Sequence, residues 1–181
     1  MTSWTDPSDA GTLDLASGTV VTETHWDNLR RDLLFLGGAT GSRACRVYHD
    51  ANQSIAHGVN TALAFNQERY DPAGFHSTSV NNSRITPSIP GKYRAGASVG
   101  FPATAAGKCQ IGLMLNGTTT IALTNQLNNA GIDTVLVIDA EYEFNGTTDY
   151  IEVTVYQSSG GALNVNSLGN YSPEFWLSRA F

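Results

Sequence analysis

Beyond residue 43, polar and apolar positions alternate along most of this chain with a period of two. The alternation is clearest from Ile132 to Phe144 and from Tyr150 to Tyr156, as expected of strands with one face buried. The pattern predicts strands at 44–48, 53–57, 60–65, 75–79, 83–86, 91–101, 107–115, 119–124, 132–144, 149–157, 162–166 and 174–180. Asn116-Gly117, Asn145-Gly146 and Gly160-Gly161 are turn dipeptides of the hairpin type. Turn signals recurring every 8–12 residues or so fit two packed sheets. No internal repeat of solenoid length is present. The expected fold is all-β, a jelly-roll β-sandwich spanning residues 44–181.

The first 43 residues follow other rules. Residues 1–21 are rich in Ser, Thr, Asp and Gly, with isolated apolar anchors at Trp4, Leu13, Leu15, Val20 and Val21. They predict an extended arm that cannot form its own core. Thr24 to Gly37 predicts one short helix, with Thr24 as N-cap, Asp27 in the first turn and Gly37-Gly38 as the stop. Trp26, Leu29, Leu33 and Leu36 recur at three- and four-residue spacing and form a narrow apolar stripe. A helix this short is not stable alone, so it must dock on the β domain, on copies of itself or on a host structure. Ala39 to Arg43 is a small, polar linker. The expected organisation is an arm and helix at 1–38, a linker at 39–43 and a head at 44–181.

The composition narrows the function. Only 14% of the 181 residues are charged, so Thr, Ser, Asn and Gly must carry the surface, as in all-β proteins of extracellular or virion surfaces. The net charge of −6, without any run of basic residues, excludes nucleic acid as a partner, because phosphate binding needs clustered Lys and Arg. Cys45 and Cys109 lie far apart and are expected as two separate buried thiols rather than a bridge. The segment MTSWTDPSDAG has neither the basic region nor the apolar core of a signal peptide. No apolar run approaches the roughly 20 residues that span a bilayer. The expected route out of the cell is release with a particle by lysis.

Candidate chemistry is sparse. Asp139, Glu141 and Glu143 share one face of a strand, spaced as two glycosidase carboxylates could be, yet a solvated sheet face explains them more simply. His25, His49, His57 and His76 share no metal-ligand spacing. No Gly-x-Ser-x-Gly elbow, Walker loop or Asp-x-Asp-x-Asp calcium loop is present. The residues predict no enzyme, no cofactor and no metal site. The aromatics Tyr93, Phe101, Tyr142, Phe144, Tyr150, Tyr156, Phe175 and Trp176 are expected mostly in the core or a subunit interface.

Two resemblances add to this reading. From Thr61 to Val99 the chain runs from a strand through Phe65-Asn66 to a turn at Tyr70-Asp71-Pro72, then Phe75, a second extended run ending at Ile85, and a long strand opened by Pro90-Gly91-Lys92-Tyr93. This order resembles the jelly rolls of the complement-globular-head and tumour necrosis factor superfamily. Asp149-Tyr150-Ile151-Glu152-Val153-Thr154-Val155 is similar to a strand of that superfamily. Ser172-Pro173-Glu174-Phe175-Trp176-Leu177 is similar to its closing strand, although the closing glycine is replaced in the neighbourhood of Trp176 and Ser178. The resemblance implies a homotrimer that binds and assembles, without shared chemistry. Gly18-Thr19-Val20-Val21-Thr22, followed by Trp26, Asn28, Leu29, Arg30, Asp32 and Leu33, resembles a segment at the start of tailed-bacteriophage structural proteins.

Together these imply a trimeric virion knob anchored to other virion proteins through residues 1–37, with Trp4, Val20, Val21, Trp26, Leu29, Leu33 and Leu36 as attachment or interface residues. Its place would be the virion surface, as a tail appendage that adsorbs to a host-surface glycan. A capsid decoration or head-fibre protein is the first alternative, and a free lectin-like module the second.

Overall fold

The structure is a computed structural model that describes Trp4–Thr5, Thr12–Leu13, Glu23–Leu36 and residues 43–180. It divides into two units, Met1–Ser42 and Arg43–Phe181. In the first unit β1 (Trp4–Thr5) pairs antiparallel with β2 (Thr12–Leu13), placing Trp4 opposite Leu13. Helix α1 spans Glu23–Leu36. It starts one residue before the expected cap, so Thr24 lies inside the first turn and Glu23 supplies an anion there, where the helix dipole favours one. The rest of the predicted arm lies outside the described residues.

The second unit is a sandwich of two antiparallel sheets, and the jelly-roll expectation holds. One sheet has the order β11 (Thr134–Phe144), β8 (Gly91–Phe101), β14 (Glu174–Arg179), β3 (Ala44–Tyr48), β6 (Gln67–Tyr70). The other runs β10 (Thr119–Leu127), β9 (Lys108–Leu115), β12 (Ile151–Gln157), β5 (Thr61–Ala62), with β7 (Arg84–Ile85) also paired to β12. A small pair, β4 (Gln53–Ile55) and β13 (Leu163–Val165), completes the fold.

Period-two alternation places the core. On the first sheet Tyr93, Ala95, Ala97, Val99 and Phe101 of β8 face inward beside Phe175 and Leu177 of β14 and Cys45 and Val47 of β3, and all are fully buried. From the second sheet Cys109, Ile111 and Leu113 meet them with Ile151, Val153 and Val155. Aromatic rings fill the middle. Phe65 and Phe175 lie 5.4 Å apart, and Tyr93 meets Phe144 edge-on at 5.7 Å, a favoured geometry for ring pairs. The Tyr93 hydroxyl donates to the Ile89 carbonyl at 2.9 Å, so its one polar atom is satisfied.

The structure corrects the sequence reading at three places. Residues 75–79 form no strand; the Asp71 side chain accepts the His76 N–H at 2.8 Å and the Phe75 carbonyl accepts the Thr86 N–H at 2.7 Å. Local turn chemistry thus claims this backbone. The strand in this region is β6 instead, which pairs with β3 along an edge. Its sequence, Gln-Glu-Arg-Tyr, carries no buried face, so periodicity could not reveal it.

The third correction concerns turns. Asn116-Gly117 is a true hairpin turn between β9 and β10, with φ of 52° and 68°, as a two-residue turn of the primed type demands. Asn145-Gly146 joins strands of different sheets, and Gly160-Gly161 leads from β12 to the small pair, so neither closes a hairpin.

The missing glycine of the closing strand has a structural counterpart. Trp176 lies opposite Gly96 on the outer face of the first sheet, and its indole occupies the space where a Cβ on Gly96 would sit. The room for the large ring is made on the neighbouring strand. Gly96→Ala should therefore displace Trp176 and destabilise the head by about 1–3 kcal/mol, the usual range for forced overpacking. Chemical denaturation followed by tryptophan fluorescence measures this, and an unchanged midpoint would contradict the packing described.

Candidate functional site

The functional candidate is a surface. Strand β11 ends the first sheet and β10 ends the second, and the two lie against each other along one flank of the sandwich. The flank is unusually apolar. Val135 and Val137 stand on the outer face of β11, 43% and 56% exposed, while Leu123 and Leu127 of β10 and Ile132 in the connecting segment are 53%, 76% and 64% exposed. Five of the head's exposed large apolar side chains lie on these two strands and the segment between them, Leu123 and Leu127 on the outer face of the second sheet and Val135 and Val137 on that of the first, and exposed apolar side chains grouped in this way mark a candidate contact site.

The outer face of the first sheet continues from this flank. Val137 lies opposite Ser98, and Ser98 opposite Glu174. In the next row Asp139, Gly96, Trp176, Arg46 and Tyr70 follow one another across the five strands. The face therefore combines two exposed valines, small residues on β8 and the half-buried indole of Trp176.

Beside it lies a buried ionic cluster. Glu174 is 1% exposed and accepts Arg46 Nε at 2.8 Å and Arg69 Nη2 at 2.7 Å. The same guanidinium groups donate to the Asn170 and Gly169 carbonyls, each at 3.0 Å. Arg69 also stacks on Tyr48, 3.8 Å from the ring centroid. One carboxylate thus fastens β3, β6, β14 and the 168–172 turn together. A second carboxylate does the same on the other sheet, where Glu152 accepts Ser83 Oγ at 2.7 Å and Arg84 Nε at 3.2 Å. The hydrogen-bond partners of both carboxylates are side chains that join neighbouring parts of the fold.

Among the described residues no group of His, Cys, Asp and Glu could hold a metal ion. Asp139, Glu141 and Glu143 are exposed, and Asp139 pairs with Arg94 at 2.9 Å. His49 Nδ1 lies 2.9 Å from the Ala51 carbonyl, and His57 Nδ1 accepts the Gly160 N–H at 3.1 Å. Asp50 accepts from Asn66 and Gln67, and these bonds hold its carboxyl below the usual carboxylate range. Cys45 and Cys109 are free thiols on opposite sheets. Burial raises both, with Asp71 and Glu68 adding to the effect at Cys45, and the Cys109 thiol is pushed up to about 11.

Of the predicted attachment residues, Trp26 and Leu29 are 61% and 39% exposed on α1. Trp4 lies in β1, and Leu33 and Leu36 lie on the same helix as Trp26. Their side chains, with Val20 and Val21 entirely, are outside the described residues. Sequence reasoning passed over the apolar flank because Leu123 and Leu127 alternate like core residues, and only their place on an outer edge shows them exposed. No helix among the described residues is long and apolar enough to cross a membrane.

No family model matches the chain, and no curated protein resembles it in sequence. Solved structures do resemble its fold. Murine APRIL superposes with a TM-score of 0.54 at 12% identity, covering 76% of this chain and 98% of that one. Eiger TNF from S. frugiperda gives 0.56 at 10% identity, with coverages of 76% and 92%. The globular domain of the zebrafish complement 1qA protein gives 0.52 at 13% identity, with coverages of 75% and 92%. The head therefore has the tumour necrosis factor and complement type of jelly-roll fold.

The Glu174 cluster yields a prediction. Glu174→Ala leaves Arg46 and Arg69 facing each other without their acceptor. Because both guanidiniums are partly exposed, with side-chain exposures of 38% and 29%, the loss should be about 2 kcal/mol, below that of a fully buried pair. Urea denaturation would show it, and a loss under about 0.5 kcal/mol would mean water replaces the carboxylate.

Proposed function

We propose that this chain is a non-catalytic, trimeric surface knob, held by residues 1–37 on the outside of a bacteriophage particle as a tail-associated appendage that meets the host surface. The observation that carries self-association is the apolar flank of Leu123, Leu127, Ile132, Val135 and Val137. A flank and a sheet face on the same chain differ in shape, so contact between copies is heterologous and must close into a ring to avoid open growth. The jelly-roll fold supports three as the number of copies.

Attachment rests on the sequence of residues 18–33 and on the exposed Trp26 and Leu29 of α1. The head supports the same division of labour. Its first strand begins beside its last, with Ala44 opposite Ser178 and the Arg179 N–H donating to the Arg43 carbonyl at 2.9 Å. Loops 101–107, 127–133 and 158–162 lie at the other end of the strands. Attachment through the residues before Arg43 leaves those loops free to meet a partner. They carry little charge, which suits a neutral host-surface glycan. A capsid decoration protein uses the same geometry and differs in the site of attachment.

The test is a pair of variants. Val137→Asp places a charge in the proposed contact, and native mass spectrometry should show single chains with an unchanged circular dichroism spectrum. Retention of the wild-type assembly would remove the flank from the account. Deleting residues 1–42 should leave a folded head that no longer joins purified particles. Its recovery on particles at normal copy number would refute attachment through the N-terminal segment.

A further inference from the structure

Trp176 sits on β14, the middle strand of the first sheet, and its ring leans across β8. The atoms nearest to the place of a Cβ on Gly96 are Cζ2, Cε2 and Nε1 of the indole. The ring therefore lies with its nitrogen-bearing edge over β8, on the way to β11. Indole nitrogen is a donor and nothing else. Its polar neighbours on that face are Ser98, Ser178 and Asp139, and none of them accepts from it. Among the described residues the buried side-chain nitrogen and oxygen atoms without a partner are Asp71 Oδ1 and Asn128 Oδ1. The indole N–H of a single chain is thus unpaired and open to water.

The flank has the opposite lack. Strand β11 pairs on one side, with β8, and ends the sheet on the other. Alternate residues of such a strand turn their N–H and carbonyl groups away from the sheet. None of these outward groups along Thr134–Phe144 makes a hydrogen bond among the described residues. Open edges are usually guarded by charge. Here Asp139, Glu141 and Glu143 stand exposed along one half of β11, whereas the other half carries Val135 and Val137. The unguarded acceptors are those beside the valines.

We propose that the indole N–H of Trp176 donates to a backbone carbonyl on the β11 edge of the neighbouring copy, beside Val135 and Val137, and that this bond sets the register of the contact. The inference rests on the self-association proposed above and adds a directional bond to it. Apolar burial alone has no direction, so it cannot fix where a flank comes to rest on a five-stranded face. Covering Trp176 with a purely apolar surface would strand its N–H away from water, and a stranded donor weakens the contact. A strand edge that offers both valines and carbonyls answers the ring and its nitrogen together. Tryptophan suits such a place, since its body is apolar and its one polar atom needs a partner once buried. The indole already lies flat on Gly96, so little freedom remains to be lost when the copies meet.

The test uses the full chain at a concentration where native mass spectrometry shows assembly. Assemblies are formed from a mixture of two preparations, one with nitrogen-15 tryptophan and one with carbon-13 valine methyls. The Trp176 indole signal is assigned by its loss in Trp176→Phe. Its proton should show intermolecular Overhauser contacts to the methyls of Val135 or Val137. It should also exchange with water about tenfold or more slowly than in single chains of Val137→Asp. Benzothienylalanine in place of Trp176 keeps the ring shape and lacks the N–H. It should raise the dissociation constant about tenfold, the worth of one buried hydrogen bond, with an unchanged circular dichroism spectrum. An assembly whose indole N–H exchanges as fast as in single chains would overturn the bond and leave self-association standing. So would an affinity that benzothienylalanine does not change. Single chains at every concentration would remove the self-association itself, and this bond with it.

Discussion

The constraint on which this head depends is the filling of one thin layer between two sheets. Strand β8 supplies five inward residues in strict alternation, and β14 lies beside it so that Phe175 and Leu177 fall in the same layer. Slipping either strand by one residue would turn that whole set outward. Phe65 meets Phe175 across the layer, and Tyr93 meets Phe144. Everything else in the head occupies what this packing leaves: short loops, two edge strands and the outer faces. It also explains why a chain with 14% charged residues needs no disulfide, since a head of this size buries most of its apolar surface.

The outer faces are built unlike the core. Of the two buried carboxylates, Glu174 gathers donors from β3 and β6 and Glu152 from the consecutive Ser83 and Arg84 at the start of β7, and both convert loose ends of the sandwich into fixed ones. Arginine suits this task because one guanidinium reaches a carboxylate and a backbone carbonyl together. The small residues of β8 leave a bed for Trp176. Along the flank no such devices cover Leu123, Leu127, Ile132, Val135 and Val137, and this contrast between sealed and open surface supports contact with another copy.

Much of the fold was legible in the chain. The long strands β8, β9, β11 and β12 announced themselves by alternation, and the Asn116-Gly117 turn by its chemistry. The edge strand β6 was hidden because nothing on it is buried, and 75–79 looked extended although side-chain bonds to its backbone set its path. The chemical role of a residue was least legible. Trp176 reads in sequence as one more aromatic of the core or an interface, and only the fold lays its indole across Gly96 on an outer face. The apolar flank was equally silent, since a leucine on an outer edge reads like one in the core. For the proposed attachment segment the sequence speaks more than the structure, because Val20 and Val21 lie outside the described residues.

The central claim, that the outer face of the first sheet and its apolar flank are covered by another copy, is tested most directly by hydroxyl-radical footprinting of the full chain across a dilution series. Trp176 and Tyr70 on the face, with Leu123, Leu127, Val135 and Val137 on the flank, provide the reporters. The account predicts that the flank and Trp176 are protected at high concentration and become reactive together on dilution, while Val80, 66% exposed in the single chain on the segment before β7, reacts throughout. Flank residues as reactive as Val80 at every concentration would contradict it.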